Sequence, residues 1–154
     1  MNVWRSHAMH TGWNTGLKEF NRLVLQHQDE AFCLAFYMLG NETLADQVLQ
    51  SAVRQAYTIF KSKKTDFRAQ ILQLVCAGCL KSSGQTLDTR AGQDPLQKQL
   101  GSLPGTERLA VILIDLLGLS YAQAGFVMHQ PPAHLRGMLT QGRLKLSNKI
   151  PPTR

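Results

Sequence analysis

Arg136, Arg143 and Lys145 sit within one short stretch, "PPAHLRGMLTQGRLKLS", together with His134 and Thr140. Lysine and arginine neutralise phosphates, and arginine can also read a base edge through paired N–H donors. His134 and Thr140 add smaller hydrogen-bonding groups. No acidic residue follows Asp115. These residue types fit nucleic-acid contact, and they fit a solvated basic helix equally well. A second chemistry is offered by Cys76 and Cys79, a CxxC pair, with Cys33 elsewhere in the chain. One CxxC without a second pair is weak for zinc, which takes four ligands. Redox use of the motif needs a βαβ context. Buried small hydrophobes on a helix are the plainer reading. No Ser-His-Asp set, paired-carboxylate motif or phosphate-cradling glycine loop is legible, which argues against an enzyme.

The cations must be positioned by local structure. Ser120 precedes an apolar-periodic run and Gln123 stands three residues later, the spacing of a capping box. Tyr121, Ala124, Val127 and Met128 then share one helical face. Pro131 forces that helix to stop by Gln130. Pro132 suits the first turn of a new helix. In the second helix Leu135, Met138 or Leu139, Gly142 and Leu146 share a face, with Arg136, Arg143 and Lys145 mostly off it. Two short helices joined by a three- or four-residue turn make a helix-turn-helix plan.

The rest of the chain reads as helical throughout. Phe20, Leu23, Val24, His27, Ala31, Leu34, Ala35 and Met38 form one stripe, which Gly40 is placed to end. Asn41 can start a turn, and Thr43 can cap a second helix with the stripe Ala45, Val48, Leu49, Ala52, Val53, Ala56, Tyr57 and Phe60. His27 on its apolar stripe reads as a packed residue. "KSKK", residues 61–64, is a basic turn. A third helix starts near Phe67, with Ile71, Leu74, Val75 and Gly78 on one face. "KSSGQTLDTRAGQD", residues 81–94, has one large apolar residue and cannot bury a face, so residues 82–95 read as a flexible linker. A short helix spans Leu96–Leu103. "PGTERLAVILIDLLG" follows as the buried centre of the back half. Residues 1–16, with Trp4 and Trp13, show no period and read as an irregular extension. Residues 151–154 form a tail.

Charge and composition bound the function class. Hydrophobic residues make up 44% of the 154, and the net charge is +7, which favours an anionic partner. The charge is uneven. Residues 17–60 carry three cations (Lys18, Arg22, Arg54) against five carboxylates, a net of −2. Residues 116–154 carry Arg136, Arg143, Lys145, Lys149 and Arg154 with no acid, a net of +5. Two halves of different charge suggest two different partners. No apolar run is long enough to span a bilayer and none resembles a targeting segment, so a soluble cytoplasmic protein without membrane contact is expected. An odd number of cysteines makes no secreted disulfide framework.

The ordered anchors in the back half resemble those of bacterial extracytoplasmic-function (ECF) sigma factors. These are Leu103–Pro104, Glu107–Arg108, the run "LAVILID", "GLSY" at 118–121, and "HLRGMLTQGRLKL" in the place of the recognition helix. The front half is similar to the family's promoter-melting domain through Phe20, Leu23, Val24, Gln28, Asp29, Leu34, Ala35, Leu39, Gly40, Ala45, Asp46, Gln50, Ala56 and Tyr57. "FRA", residues 67–69, resembles the start of the helix that handles the −10 element. The resemblance implies an all-α protein of two small domains. Residues 17–81 would be the polymerase and −10 domain, and 96–150 a helix-turn-helix domain for the −35 element. It implies docking on RNA polymerase core through Asp46, Gln50 and Arg54. It also implies promoter DNA contact by His134, Arg136, Thr140, Arg143 and Lys145, and an anti-sigma factor as a further partner. No cofactor or metal is expected.

The chain departs from the family pattern at several points. Gln47 and Ser51 stand where acids are common. Gln70, Gln73 and Ala77 replace an aromatic, an Arg and an Asn on the −10 helix. Met138 and Gln141 replace cations on the recognition helix. Gly125 and His129 occupy positions where Ala and Gly are usual, and a bulky His in place of a turn glycine suggests altered turn geometry. These departures open a second reading, a sigma-like DNA-binding regulator that does not melt promoters. A third, from another class, is a metal or redox sensor built on Cys76 and Cys79.

Overall fold

A computed structural model describes residues 15–62, 66–82 and 94–148. Most of the N-terminal extension, with Trp4 and Trp13, lies outside the described residues. So do part of the basic turn, nearly all of the linker, Lys149 and the tail. The described residues are helical, with no strand among them.

Helix α1, Thr15–Leu39, buries Phe20, Val24, Ala31, Leu34, Ala35 and Met38, the expected stripe, with Leu23 and His27 half-buried. Gly40 ends it at φ 68°. A side chain there would be strained, and a Cβ would lie 2.2 Å from the Gln97 amide nitrogen. Helix α2, Glu42–Ser62, runs back against α1. Its cap is Asn41, not Thr43: the Asn41 side chain accepts from Leu44 N–H at 3.0 Å. The helix starts one residue before Thr43, so Thr43 already lies inside the first turn. Helix α3, Phe67–Ser82, packs on both α1 and α2 and also on the back half. That double cover explains why Leu72, Cys76 and Cys79 are buried beside Ile71 and Val75. A single helical stripe was too narrow an expectation for a helix covered on two sides.

The back half begins with α4, Pro95–Gly101, capped by Asp94, whose carboxylate accepts from Leu96 N–H at 3.0 Å. It lies against α1. Helix α5, Gly105–Val111, continues into a π-helical turn, Ile112–Leu116. Leu109 to Leu113 are all buried, so this run is the centre of the back half as its composition implied. Gly118, at φ 71°, ends it. Helices α6, Tyr121–Met128, and α7, Pro132–Ser147, follow. A Cβ on Gly142 would come within 2.9 Å of the Val111 side chain, so this glycine lets α7 approach α5. Gly142→Val is expected to cost about 1–3 kcal/mol through overpacking; a lowered midpoint in urea with an unchanged slope checks it.

The two halves pack against each other, and the buried apolar core runs through both. On one side Tyr37 Oη donates to Asp94 at 3.1 Å. There too the Arg108 guanidinium, itself buried, donates to the carbonyls of Met38 (2.6 Å), Gly101 (3.0 Å) and Leu103 (2.8 Å). On the other side α3 meets α6. Arg68 pairs with Glu30 at 2.6 Å and reaches the Leu117 carbonyl at 3.3 Å.

Candidate nucleic-acid interface and docking face

Helices α6 and α7 and the turn between them start from a capped first turn. Ser120 Oγ accepts from Gln123 N–H at 3.1 Å, and the Gln123 side chain accepts from Ser120 N–H at 2.9 Å. Two of the unpaired backbone donors at this helix start are thereby satisfied. Helix α6 ends at His129, which adopts φ 54° and ψ 43°, the left-handed conformation a glycine takes without cost. The expectation of an altered turn is therefore not met: the histidine takes up the strained conformation. The Gln130 N–H closes the turn on the Gly125 carbonyl at 2.9 Å. A Cβ on Gly125 would sit 2.7 Å from the Gln130 carbonyl, which is why that position is small. Three residues, 129–131, separate the helices, and Pro132 opens α7.

Leu135, Leu139 and Gly142 bury one face of α7. At about 3.6 residues per turn, Arg136, Thr140 and Arg143 fall together on one flank. His134 and Lys145 fall on the opposite flank. Ala133, Gly137, Gln141 and Leu144 form the outward ridge between them. All five expected DNA-contact residues are exposed, but they do not make one cluster. Nor are their cations equally available. Arg143 pairs with Asp115, two donors onto two oxygens, at 2.5 and 3.0 Å. That bond raises the Arg143 pKa above its usual value. Lys145 pairs with Glu107 at 2.8 Å. Arg136 has no acidic partner among the described residues; its guanidinium lies 5.2 Å from the centre of the Tyr121 ring. Thr140 Oγ1 donates to the Arg136 carbonyl at 2.8 Å, and the His134 ring contacts Gln130 Oε1, also at 2.8 Å. Glu107, Asp115 and Tyr121 thus belong to this surface. Their positions 15 or more residues away from α7's cations left no periodic signal.

On α2, Asp46, Gln50 and Arg54 follow one another at single-turn spacing. Gln50 Nε2 donates to Asp46 Oδ2 at 2.9 Å, and Arg54 is exposed. Beside them, Gln47, Ser51 and Gln55 line a groove of about 270 Å³ shared with Leu74, Gly78 and Lys81 of α3. The face is nearly neutral. On α3, Gln73 is engaged with the back half: its amide nitrogen donates to the Phe126 carbonyl at 3.1 Å and lies 3.0 Å from His129 Nε2.

Cys76 and Cys79 are both buried, and burial pushes each thiol up to about 12. The thiolate is the nucleophile and the metal ligand, so burial disfavours the reactive form of both. Cys33 is half-exposed; burial and the nearby Glu30 raise its pKa too. Iodoacetamide at pH 8 is expected to label Cys33 well ahead of the pair, as read by mass spectrometry of the native protein. Prompt labelling of Cys76 or Cys79, or stoichiometric zinc lost in the Cys76→Ala/Cys79→Ala protein, would favour the sensor reading.

No protein-family model matches the chain. It is 24% identical to ECF RNA polymerase sigma factor SigE of Mycolicibacterium smegmatis, over 91% of this chain and 65% of that protein. The chain thus spans slightly less than two thirds of that relative's length. In fold it is similar to CnrH, solved in complex with the cytosolic domain of CnrY. The TM-score is 0.77 and the identity 20%, over 94% of this chain and 92% of that one. It is also similar to the sigma factor RpoE of Bartonella quintana, solved with the anti-sigma factor NepR. There the TM-score is 0.72 and the identity 17%, over 85% of this chain and 96% of that one. The chain resembles ECF sigma factors in sequence and in all-α fold, as a divergent relative.

Proposed function

We propose, starting from that likeness, that the chain is a sigma factor that brings RNA polymerase core to specific promoters. The observation that supports this most is the joint likeness in sequence and fold over nine-tenths of the chain. In this reading residues 17–81 and 96–150 act as two domains joined by a linker over 82–95. The α2 face around Asp46, Gln50 and Arg54 docks on core. Helix α3 approaches the −10 element, and α7 enters the major groove of the −35 element. Arg136 reads a base edge or holds a phosphate, and Arg143 and Lys145 hold phosphates once released from Asp115 and Glu107. Promoter DNA and polymerase core are the partners. An anti-sigma factor is a third, by analogy with the RpoE–NepR complex. No described helix is long and apolar enough to cross a membrane, in keeping with a cytoplasmic role.

Transcription in vitro with purified core on a genomic library of the source organism tests the proposal. Initiation dependent on this chain supports it. Duplex DNA binding without core binding or initiation would instead select the regulator reading. The engagement of Gln73 with the back half is the observation that favours that second reading, because single-stranded bases are held by stacking and cations and α3 offers little of either. For the docking face, Asp46→Arg with Gln50→Arg is expected to weaken core pull-down severalfold with helix content unchanged. Undiminished pull-down would remove this face from the proposal.

A further inference from the structure

Two residues that depart from the family pattern, Gln73 and His129, meet across the interface between the halves. The Gln73 side-chain nitrogen is 3.1 Å from the Phe126 carbonyl and 3.0 Å from His129 Nε2. An amide nitrogen only donates, and a carbonyl only accepts. The Phe126 carbonyl therefore fixes which way the amide points, and His129 Nε2 is left to accept. A ring that accepts at Nε2 is neutral and carries its proton on Nδ1. A protonated ring has N–H on both nitrogens and meets the amide donor to donor. Turning the amide over would satisfy that ring but set Gln73 Oε1 against the Phe126 carbonyl. Both bonds coexist only with neutral His129.

We propose that Gln73 and His129 form a proton-sensitive latch that holds the helix-turn-helix onto α3 and loosens on acidification. His129 lies at the C-terminal end of α6, where a helix dipole favours a positive charge, so a released, protonated ring is well placed. On the neighbouring elements, Cys76 and Cys79 of α3 are buried and Lys145 of α7 is paired with Glu107. Arg68 on α3 is tied to Glu30, and Lys81 lies at that helix's far end. Asp66 precedes α3. Asp115 on the π-helical turn is held by Arg143. On α7, His134 contacts Gln130 and Arg136 lies over Tyr121. Among the described residues none of these bonds to the His129 ring. The sign follows from proton counting: the open state binds a proton that the latched state excludes, so opening is favoured as pH falls. The latch concerns the packing of the halves and holds whether or not the chain initiates transcription.

The test is hydrogen exchange by NMR on the full chain from pH 8 to 5, following the Gln73 side-chain amide and the backbone amides of α3 and α6. His129→Asn is the control, because asparagine tolerates the left-handed conformation and does not titrate. Comparing the two proteins at each pH cancels the intrinsic pH dependence of exchange. The opening constant of the natural protein is expected to rise about three- to tenfold more than the variant's, the scale of one net hydrogen bond. Equal pH responses in the two proteins would overturn the latch. Gln73→Leu provides the same comparison from α3 if the His129 variant fails to fold. It too must lose the pH response, and its retention would overturn the proposal.

Discussion

Arg108→Ala is expected to destabilise the protein by about 2–4 kcal/mol and to loosen the two halves together. Arg108 is 8% exposed and donates to three carbonyls. Those carbonyls are orphans of helix ends: Met38 lies in the last turn of α1, and Gly101 and Leu103 at and just beyond the end of α4. Helix C-termini leave their last carbonyls without intrahelical partners, and a cation there is favoured by the dipole. Removing the donor strands several buried acceptors, at about 1–3 kcal/mol each before relaxation and water entry. The arginine itself is imperfectly settled. Its Nε has no partner among the described residues, and desolvation lowers its pKa. Arg108→Lys is expected to fall between, since one ammonium reaches fewer of the three carbonyls in the right geometry. Urea denaturation measures both. A loss below about 0.5 kcal/mol for Arg108→Ala would mean that water or other donors serve these helix ends equally well.

Freeing Arg143 and Lys145 is expected to strengthen DNA binding and sharpen its salt dependence. Both cations are paired with acids in the free protein, so binding a phosphate means exchanging one anion for another. The Asp115→Asn/Glu107→Gln protein should bind duplex DNA more tightly at low salt. Its log–log salt slope should steepen by about 1–2, taking roughly −0.9 per phosphate neutralised. Arg143→Ala in the natural background should then flatten the slope by less than about one. Arg136→Ala differs in kind. Among the described residues it has no acid to leave, and on a base edge its loss should cost about 1–3 kcal/mol at the preferred sequence and relax one base position. Titration of the full chain and these variants against a promoter duplex and a scrambled duplex, over a salt series, separates the effects. If the double variant leaves affinity and slope unchanged, α7's paired cations do not face DNA.

Much of the helical plan was written in nearest-neighbour order along the chain. The Ser120–Gln123 capping box, Gly40 and Gly118 at helix ends and the Pro131–Pro132 break each act over a few residues. So do the apolar stripes of α1, α2 and α7. Their physics is local: a cap, a left-handed carbon, a missing N–H, a 3.6-residue period. The likeness to a family rested on the same ordered anchors. What only the tertiary structure decided is which side chains meet. Arg143 finds Asp115 at a separation of 28 residues and Lys145 finds Glu107 at 38. Gln73 finds His129 at 56, and Arg108 finds Met38 at 70. Periodicity says which face of a helix is buried but not what lies opposite it. The acid-free stretch 116–154 therefore read as an unopposed cation set, although two of its cations are matched by acids that precede it in sequence. The same blindness hid the second buried face of α3, because cover from two sides exists only once both halves have packed.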